Sequence, residues 1–370
     1  MKKRNFQYFF FACLVAIFLS CGDEDDSTPT GSNGGGNGIN VVEITENITK
    51  VTTWSEDSIY VIKRYDFYVS NTLTIEAGTI IKFTTEGPYL MLGNSGTIVA
   101  NGTTSKPIIF TSIKDDDHGG DTNGDSDATN PAVNDWGCVN TNGQNGSIFN
   151  YCHFYYGGST SYTYTLAIEA GSIATVTNCT FAHNNGSDGT GWYGALSASS
   201  AGVNTDIRNN IFYNNIRPLS IIDQYNIDDS NIFHNPANAE QKNTYNGIFV
   251  YTDNITRNIS WEETEVVFVI DDNDWWISSG YSLMLANNVV LKFKSGSTML
   301  LQDGTSSLIN YNGSGVYFTS YKDDNLKGDT NGDGDITSPN NNDWLGIYDD
   351  SMSIPSPYFY QWSNILYDSY

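Results

Sequence analysis

Thirty residues from Phe110 to Val139 align without a gap on Phe318 to Ile347 at an offset of 208, and eighteen of the thirty positions are identical. Upstream, Asn47-Ile48-Thr49-Lys50 with Trp54 recurs as Asn254-Ile255-Thr256-Arg257 with Trp261, and Lys82-Phe83 recurs as Lys292-Phe293. Chance does not produce such a match, so a whole module is duplicated, and the organisation must be read from that repeat first. The second copy is short: it reaches Tyr370 near the segment matching Asn150 to Tyr156, without counterparts of Gly157 to Phe249.

A shorter period runs inside the first copy. Cys152-His153-Phe154, Cys179-Thr180-Phe181, Asn210-Ile211-Phe212 and Asn231-Ile232-Phe233 place their Phe residues 27, 31 and 21 apart. Units of that size cannot bury their own apolar face and must stack on one another. Asn178, Asn209, Asn184, Asn215 and Asn235 flank these Phe positions, where asparagines stacked along the bends are expected. Leu73 to Phe83 supplies a strand alternation with a Gly turn at Gly78. The 35 Gly, 24 Tyr and 18 Phe point the same way and exclude an all-helical protein.

With the Leu73 to Phe83 rung, the Phe110 to Trp136 run and the Asn/Cys-x-Phe rungs, the chain resembles the right-handed parallel β-helix proteins of bacterial surfaces, including the pectate-lyase-like superfamily. The resemblance covers about Val41 to Tyr370 and implies an all-β solenoid with Asp-rich loop insertions. It implies no single activity, because this fold carries lyases, hydrolases, adhesins and inert shafts alike.

The N-terminus reads as an export signal. Lys2, Lys3 and Arg4 precede an apolar run from Phe6 to Leu19 that is too short to span a bilayer. It ends in Leu19-Ser20-Cys21, a small residue before a Cys, as lipoprotein processing requires, which makes Cys21 the expected lipidation site. Gly22-Asp23-Glu24-Asp25-Asp26 resembles the acidic signal that sends lipoproteins of the Bacteroidota to the outer face of the outer membrane. The domains expected are a signal peptide (1–20), a flexible acidic and Gly-rich linker (21–40), β-helix copy one (41–251) and a truncated copy two (252–370). Cys138, Cys152 and Cys179 are an odd number without metal-ligand spacing and read as small buried hydrophobes. A formal net charge of −25 excludes a nucleic-acid partner, since phosphate binding needs the opposite sign.

The strongest chemical signal is the acidic run Asp115-Asp116-Asp117-His118-Gly119-Gly120-Asp121-Thr122-Asn123-Gly124-Asp125-Ser126-Asp127, closed by Asp135-Trp136. Such a loop repels itself unless a cation neutralises it. Asp121, Asn123 and Asp125 alternate as hard oxygen donors suited to Ca²⁺, with Gly124 easing the turn. The bidentate Glu expected eleven residues on is replaced by Ala132, and by Asn340 in copy two. The shell must therefore be closed from outside the short motif, by Asp115, Asp116 or Asp135. Asp323, Asp324, Asp329, Asn331, Asp333, Asp335 and Asp343 repeat the pattern, so the expected ligand set comprises these and Asp115, Asp116, Asp121, Asn123, Asp125, Asp127 and Asp135.

Catalysis finds less support. Arg208 and Arg217 are the only Arg or Lys between Lys114 and Lys242. Asn204-Thr205-Asp206 and Asp228-Asp229 echo hydrolase fragments without their partner motifs, and His153, His183 and His234 fall out of phase with their rungs. Aromatic residues offer a binding surface instead, with Tyr155, Tyr156, Trp192, Tyr193, Trp275 and Trp276 as candidates to stack on sugar rings. Trp136 and Trp344 are expected to pack beneath the acidic loops. The sequence thus points to a calcium-stabilised surface module that binds glycans or matrix, with a polysaccharide lyase or glycoside hydrolase as the alternative. Its aromatic last stretch, through Tyr370, is expected to leave an unpaired edge open to an end-to-end partner.

Overall fold

The computed structural model describes residues 40–187, 193–350 and 358–370. Cys21, the signal peptide, nearly all of the acidic linker and Trp192 lie outside the described residues.

Alternating apolar side chains separated by tight turns give short strands that the chain lays down in threes. Thr72–Ile75, Ile80–Phe83 and Tyr89–Leu92 make one turn, and Thr97–Asn101 and Ile108–Ser112 begin the next. Each strand pairs in parallel with its counterpart a turn away. The result is a parallel β-helix bounded by sheets of seven, ten and six strands. Tyr151, Asn178 and Asn209, with φ of 48°, 56° and 57°, form single-residue bends between the six- and seven-stranded faces. Asn tolerates that left-handed conformation better than most residues, which explains its recurrence there.

The Phe residues of the short period stack into one column: Phe110, Phe154, Phe181, Phe212 and Phe233 have successive ring centroids 4.7, 4.9, 5.1 and 5.3 Å apart. A buried amide ladder runs beside it. Asn184 Nδ2 donates to Asn215 Oδ1 (3.0 Å), and Asn215 Nδ2 to Asn243 Oδ1 (2.8 Å). Asn210 and Asn231 form a second, shorter pair. Asn243, and not Asn235, continues the ladder, because Asn235 sits in an antiparallel pairing of His234–Asn235 with Asn238–Lys242. Cys138, Cys152 and Cys179 are free and buried.

The second copy is stacked on the first with a change of face. Ile80–Phe83 belongs to the seven-stranded sheet, but its counterpart Val290–Phe293 joins the ten-stranded one. Asp66–Val69 starts the ten-stranded sheet, whereas the matching Trp275–Ile277 starts a separate four-stranded sheet. Copy two is therefore rotated by one of three faces about the axis, and the two acidic loops project from different corners. The last stretch folds back onto the final rung: Tyr358–Phe359 lies antiparallel to Gly346–Asp349 as the edge strand of its sheet, and Ile365 and Asp368 bridge to Phe318 and Trp344. Among the described residues no helix is long and apolar enough to cross a membrane.

Candidate metal centre

Each acidic loop leaves the end of a strand, Ile108–Ser112 or Tyr317–Ser320, and is held at its base by a repeated set of side chains. Trp136 and Trp344 are fully buried and stack on Phe83 and Phe293, in both cases at 4.1 Å between centroids and 8° between planes. Their indole N–H groups donate to the carbonyls of Tyr155 and Leu366. The packing role expected for these tryptophans is the one they occupy.

Four of the expected ligands are held by donors of the protein itself. Asp135 accepts from Ser112 Oγ (2.7 Å) and the Ala132 N–H and pairs with Lys114 Nζ (2.8 Å). Asp343 repeats this with Ser320, Asn340 and Lys322. Asp115 and Asp323 are buried and accept from Thr111 and Thr319. These four carboxylates fix the loop to the rung and stand outside the cluster below.

Three others converge. Asp116, Asp121 and Asp125 each bring one oxygen to a common point, with all three within 4.8 Å of one another, and Asp324, Asp329 and Asp333 do the same. Asp116 and Asp324 therefore complete the group from outside the short motif. Asn123 and Asn331 lie between these acids, and each amide donates to the neighbouring Asp125 or Asp333 and to Thr129 or Thr337, closing the turn. Asp127 lines a small cleft of about 100 Å³ shared with Asp116, and Asp335 is exposed.

The electrostatics of the cluster are those of a site short of positive charge. Oδ1 of Asp116 and Oδ1 of Asp125 are buried without a hydrogen-bond donor, and so are the same atoms of Asp324 and Asp333. Burial, then the charge of Asp121, pushes the Asp116 carboxyl above its ordinary range, and burial with Asp329 does so for Asp324. Backbone N–H groups of Ser126 and Gly124 hold Asp121 below it. A buried carboxylate oxygen without a donor is costly. A hard divalent cation satisfies two such oxygens per loop at once, so the donor set fits Ca²⁺ with further oxygens from water or carbonyls.

Sequence reasoning missed the cation already present under each loop. Lys82 and Lys292 are fully buried, and their ammonium groups donate to the carbonyls of Gly120 (2.7 Å) and Gly328 (2.8 Å). Those glycines have φ of 77° and 81°, which turns the loop over the lysine. Burial pushes Lys292 down to about 8 and lowers Lys82, against the pull of the acids above. The repeated Lys-Phe pair was the available signal.

The aromatic candidates divide. Tyr155 stacks on His118 (5.2 Å) and shares a hydrogen bond between its hydroxyl and His153 Nδ1 (3.0 Å), while Tyr156 stacks on His183 (5.5 Å). His118, His153 and His183 thus share one neighbourhood, with the acidic loop folding His118 back over the sheet, while His234 lies apart and pairs with Glu265. His118 Nδ1 also lies 2.7 Å from Asp115 Oδ2. Burial pushes the His153 imidazole down to about 4, leaving it neutral at physiological pH. Tyr193 keeps an exposed face and continues a row of ring contacts through Tyr164, Tyr162 and Tyr89 to Tyr65. Trp276 is half-buried, but Trp275 is an interior residue whose indole N–H donates to Asp223 (2.8 Å), so no external sugar reaches it.

Residues 46–200 match the family model of the pectate-lyase like beta helix domain. No curated protein and no solved structure matches the chain.

Proposed function

We propose that this chain is a lipid-anchored surface shaft, a parallel β-helix braced by Ca²⁺ at two matched loops, whose work is to bind glycans or extracellular matrix. The observation that carries the reading is the recurrence, in both copies, of three converging carboxylates of which the same two hold a buried oxygen without a donor. Cys21 supplies the anchor to the outer membrane, and Asp23 to Asp26 the acidic signal for surface exposure. Nucleic acid is no partner for so acidic a protein.

The test is thermal unfolding of the mature protein with and without chelator. Binding to the folded state alone raises stability by mass action, so calcium should raise the melting temperature and titrate to ~2 ions per chain. Asp125→Ala with Asp333→Ala should abolish the response, and an unchanged melting curve in chelator would sink the cation. Replacing Cys21 with Ala should release the protein from membranes into soluble fractions.

The match over residues 46–200 favours a second reading, a polysaccharide lyase or glycoside hydrolase. Release of unsaturated uronate or reducing ends from a glycan panel supports that reading; binding without turnover supports the first.

A further inference from the structure

The change of face between the copies leaves a gap in the shaft. The six-stranded sheet ends at Asp206–Arg208. The segment that follows it in space, around Ile227, pairs instead with the first strand of copy two: Ile227 N–H donates to the Ser260 carbonyl (3.1 Å) and Glu262 N–H to that of Ile227 (2.7 Å). Between the two lies a cleft of about 350 Å³, within the range of small-molecule sites.

Three separate segments each bring a carboxylate to this cleft: Asp206, Asp228 and Glu262. The two acidic fragments noted in the sequence, Asn204-Thr205-Asp206 and Asp228-Asp229, thus meet at one place. Among the described residues these acids do not draw together as the loop carboxylates do, which argues against a metal. Arg208 is the one basic lining residue, and its guanidinium donates to both oxygens of Asp206 at 2.6 Å. Three carboxylates against one guanidinium leave a charge of −2. The amides of Asn204 and Asn226 add donors and acceptors, and Val203 gives the rim an exposed apolar side chain. The Tyr225 ring is fixed in the lining by its hydroxyl, which donates to the Gly202 carbonyl (2.8 Å).

We infer that this seam cleft is a saccharide subsite for an amino sugar. Acceptor-rich walls take hydroxyl hydrogens, the exposed Val203 side chain meets a C–H edge of a pyranose, and the ammonium offsets the surplus negative charge. A uronate brings a fourth carboxylate into the cleft and is repelled. The inference rests on the glycan-binding reading and narrows it to one location and one charge class.

The experiment is calorimetric titration of the mature, calcium-loaded protein at physiological salt with three probes: a glucosamine disaccharide, its N-acetylated form and a galacturonate disaccharide. The glucosamine disaccharide should bind one to one and tighter than the others. Asp228→Asn with Glu262→Gln should weaken it ~10-fold or more. Glu76→Gln, an exposed acid elsewhere, should leave it unchanged, which separates a site from general attraction to an acidic protein. Equal affinity in the double variant, or galacturonate binding as tightly, overturns the inference. If other glycans bind the protein while glucosamine does not, the inference fails and the wider reading stands. If no glycan binds at all, both fail.

Discussion

The two acidic loops share a frame and differ on one flank. Both are tied to a buried lysine, both close through a Ser–Asp–Lys cluster, and both cover an indole stacked on a Phe. At the outer flank, however, His118 pairs with Asp115 and lies on Tyr155, whereas the aligned Leu326 packs against an apolar patch of Phe249, Val267, Val269 and Val290. A second pair diverges further. Glu56 forms an exposed ion pair with Lys106, while Glu263, two residues past the aligned Trp261, is fully buried with one oxygen lacking a donor. The frame that gathers the carboxylates is thus separable from its surroundings, which change with the face on which each copy lands.

The largest effect should come from the shared frame. Trp136→Ala and Trp344→Ala each remove a fully buried indole and should each cost ~3–5 kcal/mol in chemical denaturation. A silent member of the pair would mean that the loops do not share a packing frame.

The two glutamates should differ next. Burial, with Asp229 and Glu265 nearby, pushes the Glu263 carboxyl up to about 8 from 4.5. Below 4.5 both folded and unfolded chains hold the proton; between 4.5 and 8 only the folded chain does, so stability falls as pH rises through that window. Glu263→Gln should remove the slope and gain up to about 5 kcal/mol above pH 8. Glu56→Gln should change stability by about 0–1 kcal/mol at any pH, as exposed ion pairs do. Matching pH profiles for the two variants would refute the contrast.

Cation binding should be similar in the two loops. Asp116→Asn or Asp324→Asn should each remove about one Ca²⁺ per chain, and each site should contribute ~2.7 kcal/mol when calcium is a hundredfold above its dissociation constant. Retention of both ions in either variant would show that Asp116 and Asp324 do not complete the shell. The smallest effect belongs to the divergent flank. His118→Leu, which copies the second loop, should cost ~1 kcal/mol while leaving calcium stoichiometry unchanged. A lost ion would tie the histidine flank to the frame.

Much of the fold was legible in the chain. The Phe spacing gave the stacked column, the Asn-Phe rungs gave the amide ladder apart from its member Asn243, and the repeat gave two acidic loops of matched spacing. Of the converging carboxylates, alternation singled out Asp121 and Asp125, whereas Asn123 between them spends its amide on Asp125 and Thr129, which spacing alone does not show. Lys82 escaped notice as part of the site because a lysine at an outward strand position is ordinarily solvated.

By itself the sequence determined that a module is repeated, that its rungs must stack to bury their apolar faces, and that each copy carries an acidic loop of fixed spacing. Only the tertiary structure decided which face each copy occupies. A three-sided solenoid assigns a strand to a face by counting strands from the start of the shaft, and the strands of copy two fall one face on from their counterparts in copy one. Local residue pattern carries no record of such a count, so the two corners from which the loops project, the burial of Glu263 and the seam cleft emerge only when the rungs are stacked.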